Sequence, residues 1–146
     1  MTQAYKYSIL YFLAFSLLLL LSGTMLFYEK LGFTQESIYT YYTGGHYMAS
    51  KTHTGILKLI LPHIFAFGLF SMVILHFLVF TQQRYKKQTK FLVYFTFLSA
   101  VLELGSPFLI INYGEFFTFM KIISFVLFEL LILYTGYLLL LSIVND

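Results

Sequence analysis

The chain has 146 residues, of which 60% are hydrophobic, 21% aromatic and only 10% charged, with a formal net charge of +3. A soluble domain carries about 25% charged residues, so this composition excludes a water-soluble globule and indicates an integral membrane protein in contact with the lipid bilayer. The absence of cysteine excludes disulfides, iron–sulfur clusters, thiolate zinc sites and covalently attached haem. The positive charge lies largely in one short loop and therefore does not indicate nucleic-acid binding.

Four apolar stretches are long enough to cross a bilayer, which takes about 20 helical residues. They cover residues 9–27, 55–80, 91–111 and 117–144. Lipid offers no hydrogen-bond partner to the backbone, so each span is predicted to be an α-helix. The sequence shows no linker and no internal repeat. We therefore predict one all-α transmembrane domain over residues 1–146, an integral membrane four-helix bundle with an up-down-up-down path.

The connections between the spans predict the orientation. Within the first connection, residues 28–54, the stretch TQESIYTYY is predicted to form a short amphipathic helix capped by Thr34 at the membrane surface. The connection at residues 82–90 is rich in basic residues: Arg84, Lys86, Lys87 and Lys90. Positive loops remain on the cytoplasmic side. We therefore expect a multi-pass protein of the inner (cytoplasmic) membrane, with both termini cytoplasmic and residues 28–54 outside.

Two histidines lie thirteen residues apart in the second span, LPHIFAFGLFSMVILHF. At 1.5 Å per residue, His63 and His76 are about 20 Å apart along the helix axis, which places one in each leaflet. At about 100° per residue, the two side chains point about 140° apart around the helix. A kink near Gly68 would be needed to bring them into line.

This histidine pair resembles the ligand helix of membrane b-type cytochromes, although the commonest spacing there is one residue longer. The segment KTHTGILKLILPHIFAFGLFSMVILHF also resembles the second span of an uncharacterised family of small four-span bacterial membrane proteins. The cytochrome resemblance implies haem b as a cofactor, with His63 as a ligand of the outer haem iron and His76 of the inner one. His53, at the mouth of the span, and His46 in the outward loop are further candidates. A parallel homodimer, or another subunit, would supply the missing ligands.

Glu103 and Glu129 are the candidate proton-transfer residues, because an ionisable group inside a span is costly unless it is paired or hydrated. Pro107 removes the helix hydrogen bond to the Glu103 carbonyl, and such a break can open a pocket for a quinone. For Glu103 this functional role is preferred over a packing role; for Glu129 neither is preferred. Lys121 is expected to extend its side chain towards the headgroups.

These features predict a haem b-binding electron-transfer subunit that exchanges electrons between the quinone pool and a partner protein. It would act as a homodimer or with respiratory-complex subunits. Two alternatives stay open. One is a cofactor-free accessory or scaffold subunit, whose histidines and glutamates lock helices together. The other is a small proton-coupled carrier. The sequence has no Walker A, HExxH or GxSxG motif, so we expect at most a subunit of a membrane oxidoreductase.

Overall fold

The computed structural model describes residues 2–45, 49–81 and 87–145. Within these ranges the chain forms five helices and no β-strand: α1 (Gln3–Lys30), α2 (Gln35–Thr43), α3 (His53–Val79), α4 (Lys87–Tyr113) and α5 (Phe117–Val144). The helices α1, α3, α4 and α5 are long and apolar enough to cross a membrane. The predicted all-α four-helix bundle is confirmed. Helices α1, α3 and α4 begin a few residues before the predicted spans.

Contacts near the helix ends define the path of the chain. The Lys6 Nζ donates to the carbonyl of Ile143 at 3.5 Å, so the start of α1 lies beside the end of α5. At the other end of the bundle, Phe27 stacks on Phe125 with ring centroids 4.0 Å apart. Helices α1 and α5 are therefore antiparallel. We call the end of the bundle that carries α2 the α2 end, and the end at which residues 82–86 connect α3 and α4 the basic end.

Helices α4 and α5 form the most closely packed pair of the bundle. Their contact surface contains small buried hydroxyl residues, which allow two backbones to approach closely. These residues are Thr96, Ser99, Ser106, Thr118, Ser124 and Thr135. Several of the hydroxyls donate to a carbonyl one turn earlier in their own helix, as Thr135 does to Leu131 at 2.8 Å. Five of these six hydroxyls are satisfied in this way, and only that of Thr96 is buried without a described partner.

Helix α1 contacts α3 through aromatic rings near the basic end. The ring of Phe12 lies 5.9 Å from Phe70 and 5.2 Å from Phe77, and Tyr5 also contacts Phe77, at 5.9 Å. Towards the α2 end, α1 packs instead against α5 through Phe27 and Phe125. The two helices α1 and α3 therefore meet at the basic end and leave a space between them nearer the α2 end.

The predicted short helix capped by Thr34 is confirmed as α2. The Thr34 side chain accepts a hydrogen bond from the Ser37 amide at 3.2 Å and so caps the first turn. Helix α2 buries Ile38 and Tyr42 against Ile110 of α4 and Phe125 of α5. It ends at Gly44, whose φ of 88° favours glycine. Helix α2 thus covers the α2 end of the α4–α5 pair.

The predicted orientation can be tested with a matched pair of asparagines. Both Asn112, at the α2 end, and Asn145, at the basic end, are exposed, and the chain has no cysteine of its own. We expect a membrane-impermeant maleimide to label Asn112→Cys in intact cells, and Asn145→Cys only after permeabilisation. The opposite labelling would show that the basic loop faces outward.

Candidate functional site

A cavity of about 420 Å³ lies between α1 and α3 in the half of the bundle next to α2. Its volume falls within the range of small-molecule sites, about 300–1,000 Å³. The cavity is bordered by exposed residues of the two helices: Leu19, Ser22 and Leu26 of α1, and Leu59, His63 and Ala66 of α3. Because these side chains lie on the lateral surface of the bundle, the cavity opens towards the surrounding lipid.

The inner wall of the cavity contains a buried ion pair between α4 and α5. The Lys121 Nζ donates to the Glu103 carboxylate and also, at 3.1 Å, to the Glu103 backbone carbonyl. Each residue is only 6% exposed. A buried charge is tolerated only when it is paired and hydrogen-bonded, and here each partner neutralises the other. The pair therefore places two polar groups in an apolar wall without a net charge.

Pro107 explains why Lys121 bonds to a backbone carbonyl. In an α-helix the Glu103 carbonyl would accept from the amide of residue 107, but proline has no amide proton. The carbonyl instead accepts from Lys121 Nζ and from the Ser106 hydroxyl at 2.7 Å. The prediction that Pro107 frees this carbonyl is confirmed. The expectation that Lys121 extends to the headgroups is wrong, because the ion pair and the free carbonyl hold its side chain inside the bundle.

The ion pair keeps unused hydrogen-bonding capacity. An ammonium group has three N–H donors and a carboxylate has two oxygens. Among the described contacts, Lys121 uses two donors, both on Glu103, and the second Glu103 carboxylate oxygen has no partner. Since both side chains line the cavity, a bound molecule could accept from Lys121 and donate to Glu103 without breaking the pair.

Glu129 of α5 lies deeper in the same cavity, about 18 Å along the axis from the start of the helix. One of its carboxyl oxygens accepts from the Thr24 hydroxyl of α1 at 2.9 Å. A Cβ atom at Gly23 of α1 would lie 3.6 Å from the other carboxyl oxygen, which is an ordinary van der Waals contact, so Gly23 also borders the carboxyl group. Within the described part of the chain, Glu129 has no ion-pair partner. The two glutamates therefore differ: Glu103 faces a cation, and Glu129 faces a neutral hydroxyl.

Helix α2 contributes the end of the cavity nearest the membrane surface. Tyr41 and Tyr42 both line it, and Tyr42 is only 4% exposed. Burial raises the pKa of Tyr42 well above its usual value, and the nearby Glu103 charge raises this pKa further. Tyr41 is held by the Lys51 ammonium group, which lies 3.9 Å above its ring. Burial also raises the pKa of Tyr41, so both tyrosines remain neutral hydroxyl groups where the cavity meets α2.

His63 lies at the rim of the cavity. Its Nδ1 is 2.6 Å from the Leu59 carbonyl oxygen, one turn earlier in α3. A carbonyl only accepts, so Nδ1 must carry the proton and donate. In the neutral ring, Nε2 then has a free lone pair. His63 can therefore accept a hydrogen bond or bind a metal ion through Nε2.

The other predicted ligands lie elsewhere. His76 is exposed near the basic end, with its ring 4.7 Å from Phe80. His53 is the first residue of α3, about 15 Å from His63 along the same helix, and stacks on Phe108. Helix α3 continues unbroken past Gly68, so the angle of about 140° between His63 and His76 is not corrected there.

The described residues contain no group of three or more histidine, aspartate or glutamate side chains that could hold a metal ion. His46 lies outside the described residues. The structure therefore brings Glu103, Glu129 and His63 to one cavity and leaves His53 and His76 outside it.

Sequence reasoning missed Lys121 and Thr24 as members of this site. One signal for Lys121 was present. A carbonyl freed by Pro107 inside a membrane needs a donor, and Lys121 is a donor on the span next in sequence. No comparable signal marked Thr24, because a threonine in an apolar helix usually bonds within its own helix. The Leu20 carbonyl oxygen lies 3.0 Å from the Thr24 hydroxyl oxygen, so the one hydroxyl hydrogen can serve either this carbonyl or Glu129.

The fold and the four candidate spans define the chain as a multi-pass helical membrane protein. A family model described as a transmembrane helical domain, Aq_1264_TM, matches residues 32–146, and the chain belongs to that family. The matched range contains α2 to α5 and thus the Glu103–Lys121 pair, Glu129 and His63. Comparisons with curated proteins and with solved structures give no match.

Removal of the Lys121 ammonium group should destabilise the bundle. In Lys121→Met the Glu103 carboxylate would be buried without its cation, a change that costs about 3–5 kcal/mol. We expect a clear loss of thermal stability in detergent. The exposed Lys58 provides the matched control, since Lys58→Met should change stability by no more than about 0.5 kcal/mol.

The double variant Glu103→Gln/Lys121→Met tests the cause of that loss. It removes both charges, so it should be more stable than Lys121→Met alone. Equal stability of Lys121→Met and Lys58→Met would contradict the importance of the pair.

Proposed function

We propose that the chain is a membrane electron-transfer subunit that binds the ring of a lipophilic quinone in the cavity between α1 and α3. The observation that carries this proposal is the combination of a lateral opening towards lipid with hydrogen-bond donors and acceptors on the inner wall. A molecule dissolved in the bilayer could enter between the two helices with its apolar tail left in the lipid. Its polar ring would then reach the ion pair.

The charge balance of the site favours a neutral ligand. The Glu103 carboxylate already compensates Lys121, so the inner wall has no surplus positive charge for a phosphate headgroup. Lys30, at the end of α1, also lines the cavity, but it is exposed and lies on the side nearest α2, so its positive charge is not part of the inner wall. His63 and Glu129 lie about 15–18 Å along the axis from the helix ends, which is below headgroup level. A neutral polar ring suits this depth better than a phospholipid headgroup.

The available groups fit both redox forms of a quinone. The carbonyl oxygen of the oxidised ring accepts hydrogen bonds, and the free N–H of Lys121 can donate one. The hydroxyl group of the reduced ring donates, and Nε2 of His63 or the second Glu103 oxygen can accept. Four aromatic side chains also line the cavity and provide apolar surface: Phe67, Phe70, Phe125 and Phe128.

The electrons would come from or pass to a partner protein, as expected for a subunit of a respiratory complex in the inner membrane. The basic residues next to α4 support an orientation with the α2 end outward. In that orientation the cavity lies in the outer leaflet. This position would suit exchange with a partner on the outer face of the membrane.

Ligand binding can be measured by thermal unfolding of the detergent-purified protein with a short-tailed quinone. A ligand that binds only the folded state adds about 2.7 kcal/mol of stability when its concentration is about 100 times Kd. We expect a saturable rise in Tm for the native sequence. The rise should be lost in Ala66→Phe, because the larger side chain would fill the opening.

Ala14→Phe is the matched control, since Ala14 is exposed on α1 and does not line the cavity. It should retain the rise in Tm. The same titration with a short-chain phospholipid distinguishes the two ligand classes. Stabilisation by the phospholipid but not by the quinone would contradict the proposal, as would an equal quinone effect in both phenylalanine variants.

Haem b binding between two copies of the chain is a second candidate. Among the described residues, one chain does not offer two opposed imidazoles to one iron, because His53, His63 and His76 all lie on α3 at different heights. The supporting observation is that His63 and His76 are both exposed, as ligation across an interface requires. The two side chains point about 140° apart on a straight helix. A two-fold axis can therefore bring His63 together with its symmetry mate, or His76 with its own, but not both.

The spectrum of the protein purified from haem-replete cells tests this second candidate. The native protein would show the α-band typical of b haem after reduction with dithionite. Loss of this band in either His63→Phe or His76→Phe would identify which histidine, and so which height in the membrane, holds the haem. We expect His53→Phe to retain the band. Retention in the double variant of His63 and His76 would contradict ligation by either residue.

A further inference from the structure

We infer that Glu129 is the carboxyl group that exchanges protons with the cavity, while the Glu103–Lys121 pair is a fixed polar anchor. Both glutamates line the same cavity, and the sequence alone favoured Glu103 for the proton-transfer role. The contacts of the two side chains reverse that preference.

Glu103 is unsuited to proton exchange because its negative charge is already neutralised. Lys121 donates to both the carboxylate and the backbone carbonyl of Glu103. To protonate the carboxylate would leave a buried ammonium group, which is only 6% exposed, without its counter-charge. The pair therefore resists a change of protonation and holds a constant position.

Glu129 has no such partner. Its described hydrogen bond comes from the neutral hydroxyl of Thr24, and no cation lies within ion-pair distance in the described part of the chain. A lone carboxylate in hydrocarbon is far more costly than the neutral acid. Glu129 therefore carries a proton when the cavity is dry and can release it when an acceptor enters.

The surroundings of Glu129 provide a path for this exchange. Glu129 is half-buried, with part of its carboxyl group in the cavity. The titratable groups that line the same cavity are those of Lys30 on α1, Tyr41 and Tyr42 on α2, His63 on α3, Glu103 on α4 and Lys121 on α5. Once the partner protein has supplied electrons to the ring, the proton passes from a Glu129 oxygen to the negatively charged oxygen of the reduced ligand, and the Thr24 hydroxyl then donates to the carboxylate that remains. A proton from water at the α2 end restores the acid.

As a step in quinone chemistry, this exchange rests on the proposed function. As a property of Glu129, it can be tested without any quinone. The hydrophobic reagent dicyclohexylcarbodiimide reacts with protonated carboxyl groups in apolar surroundings, and mass spectrometry of the digested protein locates the adduct. We expect an adduct on Glu129 and none on Glu103 in the native sequence.

Lys121→Met provides the sharper comparison. Without its cation Glu103 should take up a proton, so this variant should gain a second adduct on Glu103. If the variant does not fold, the labelling of the native protein alone still shows which of the two glutamates carries the proton. Labelling of Glu103 equal to or greater than that of Glu129 in the native sequence would overturn the inference, and so would the absence of any adduct on Glu129.

Quinone-dependent protection distinguishes this inference from the proposed function. Slower labelling of Glu129 in the presence of a short-tailed quinone supports both. Labelling of Glu129 that quinone does not slow retains the proton-exchange site and removes quinone as its partner.

Discussion

The bond between Lys121 and Glu103 is the interaction on which the candidate site depends. It exists because Pro107 deprives the Glu103 carbonyl of its helical donor, and a backbone acceptor inside a bilayer must be satisfied within the protein. One ammonium group satisfies this carbonyl and neutralises the neighbouring carboxylate. The bond joins α4 to α5 in the most closely packed part of the bundle. The result is a polar surface inside the bundle, which apolar packing alone would not produce.

Around this surface the helices differ in how firmly they are held. Small hydroxyl residues bring α4 and α5 together, whereas α1 is attached by aromatic contacts at its two ends and by the bond from Thr24 to Glu129. The divergence of α1 from α3 opens the cavity to lipid. Helix α2 closes its end near the surface with Tyr41 and Tyr42. A firm wall on one side and a lightly attached helix on the other suit a site that a bilayer-soluble molecule enters and leaves.

Features set by local sequence were predictable. The four spans follow from their length and hydropathy, the α2 cap from Thr34, and the freed Glu103 carbonyl from Pro107. Features that depend on how helices meet were not. Lys121 was expected at the headgroups, because nothing in its own segment shows that Glu103 lies beside it. The cavity depends on the divergence of α1 and α3, which neither helix encodes alone. The haem and proton-transfer roles of His63, His76, His53, Glu103 and Glu129 stay predictions, since they concern chemistry rather than position.

Photolabelling in native membranes tests the central claim most directly. A photoreactive quinone with an isoprenoid tail would be activated in membranes that contain the protein, and the adducts located by peptide mapping. The account predicts adducts on the cavity residues of both α1 and α3, such as Leu26 and Ala66, that excess unlabelled quinone removes. A quinone site between α1 and α3 would be contradicted if the adducts were spread over the lipid-facing surface, for example on Phe15 or Tyr137, and if unlabelled quinone did not reduce them.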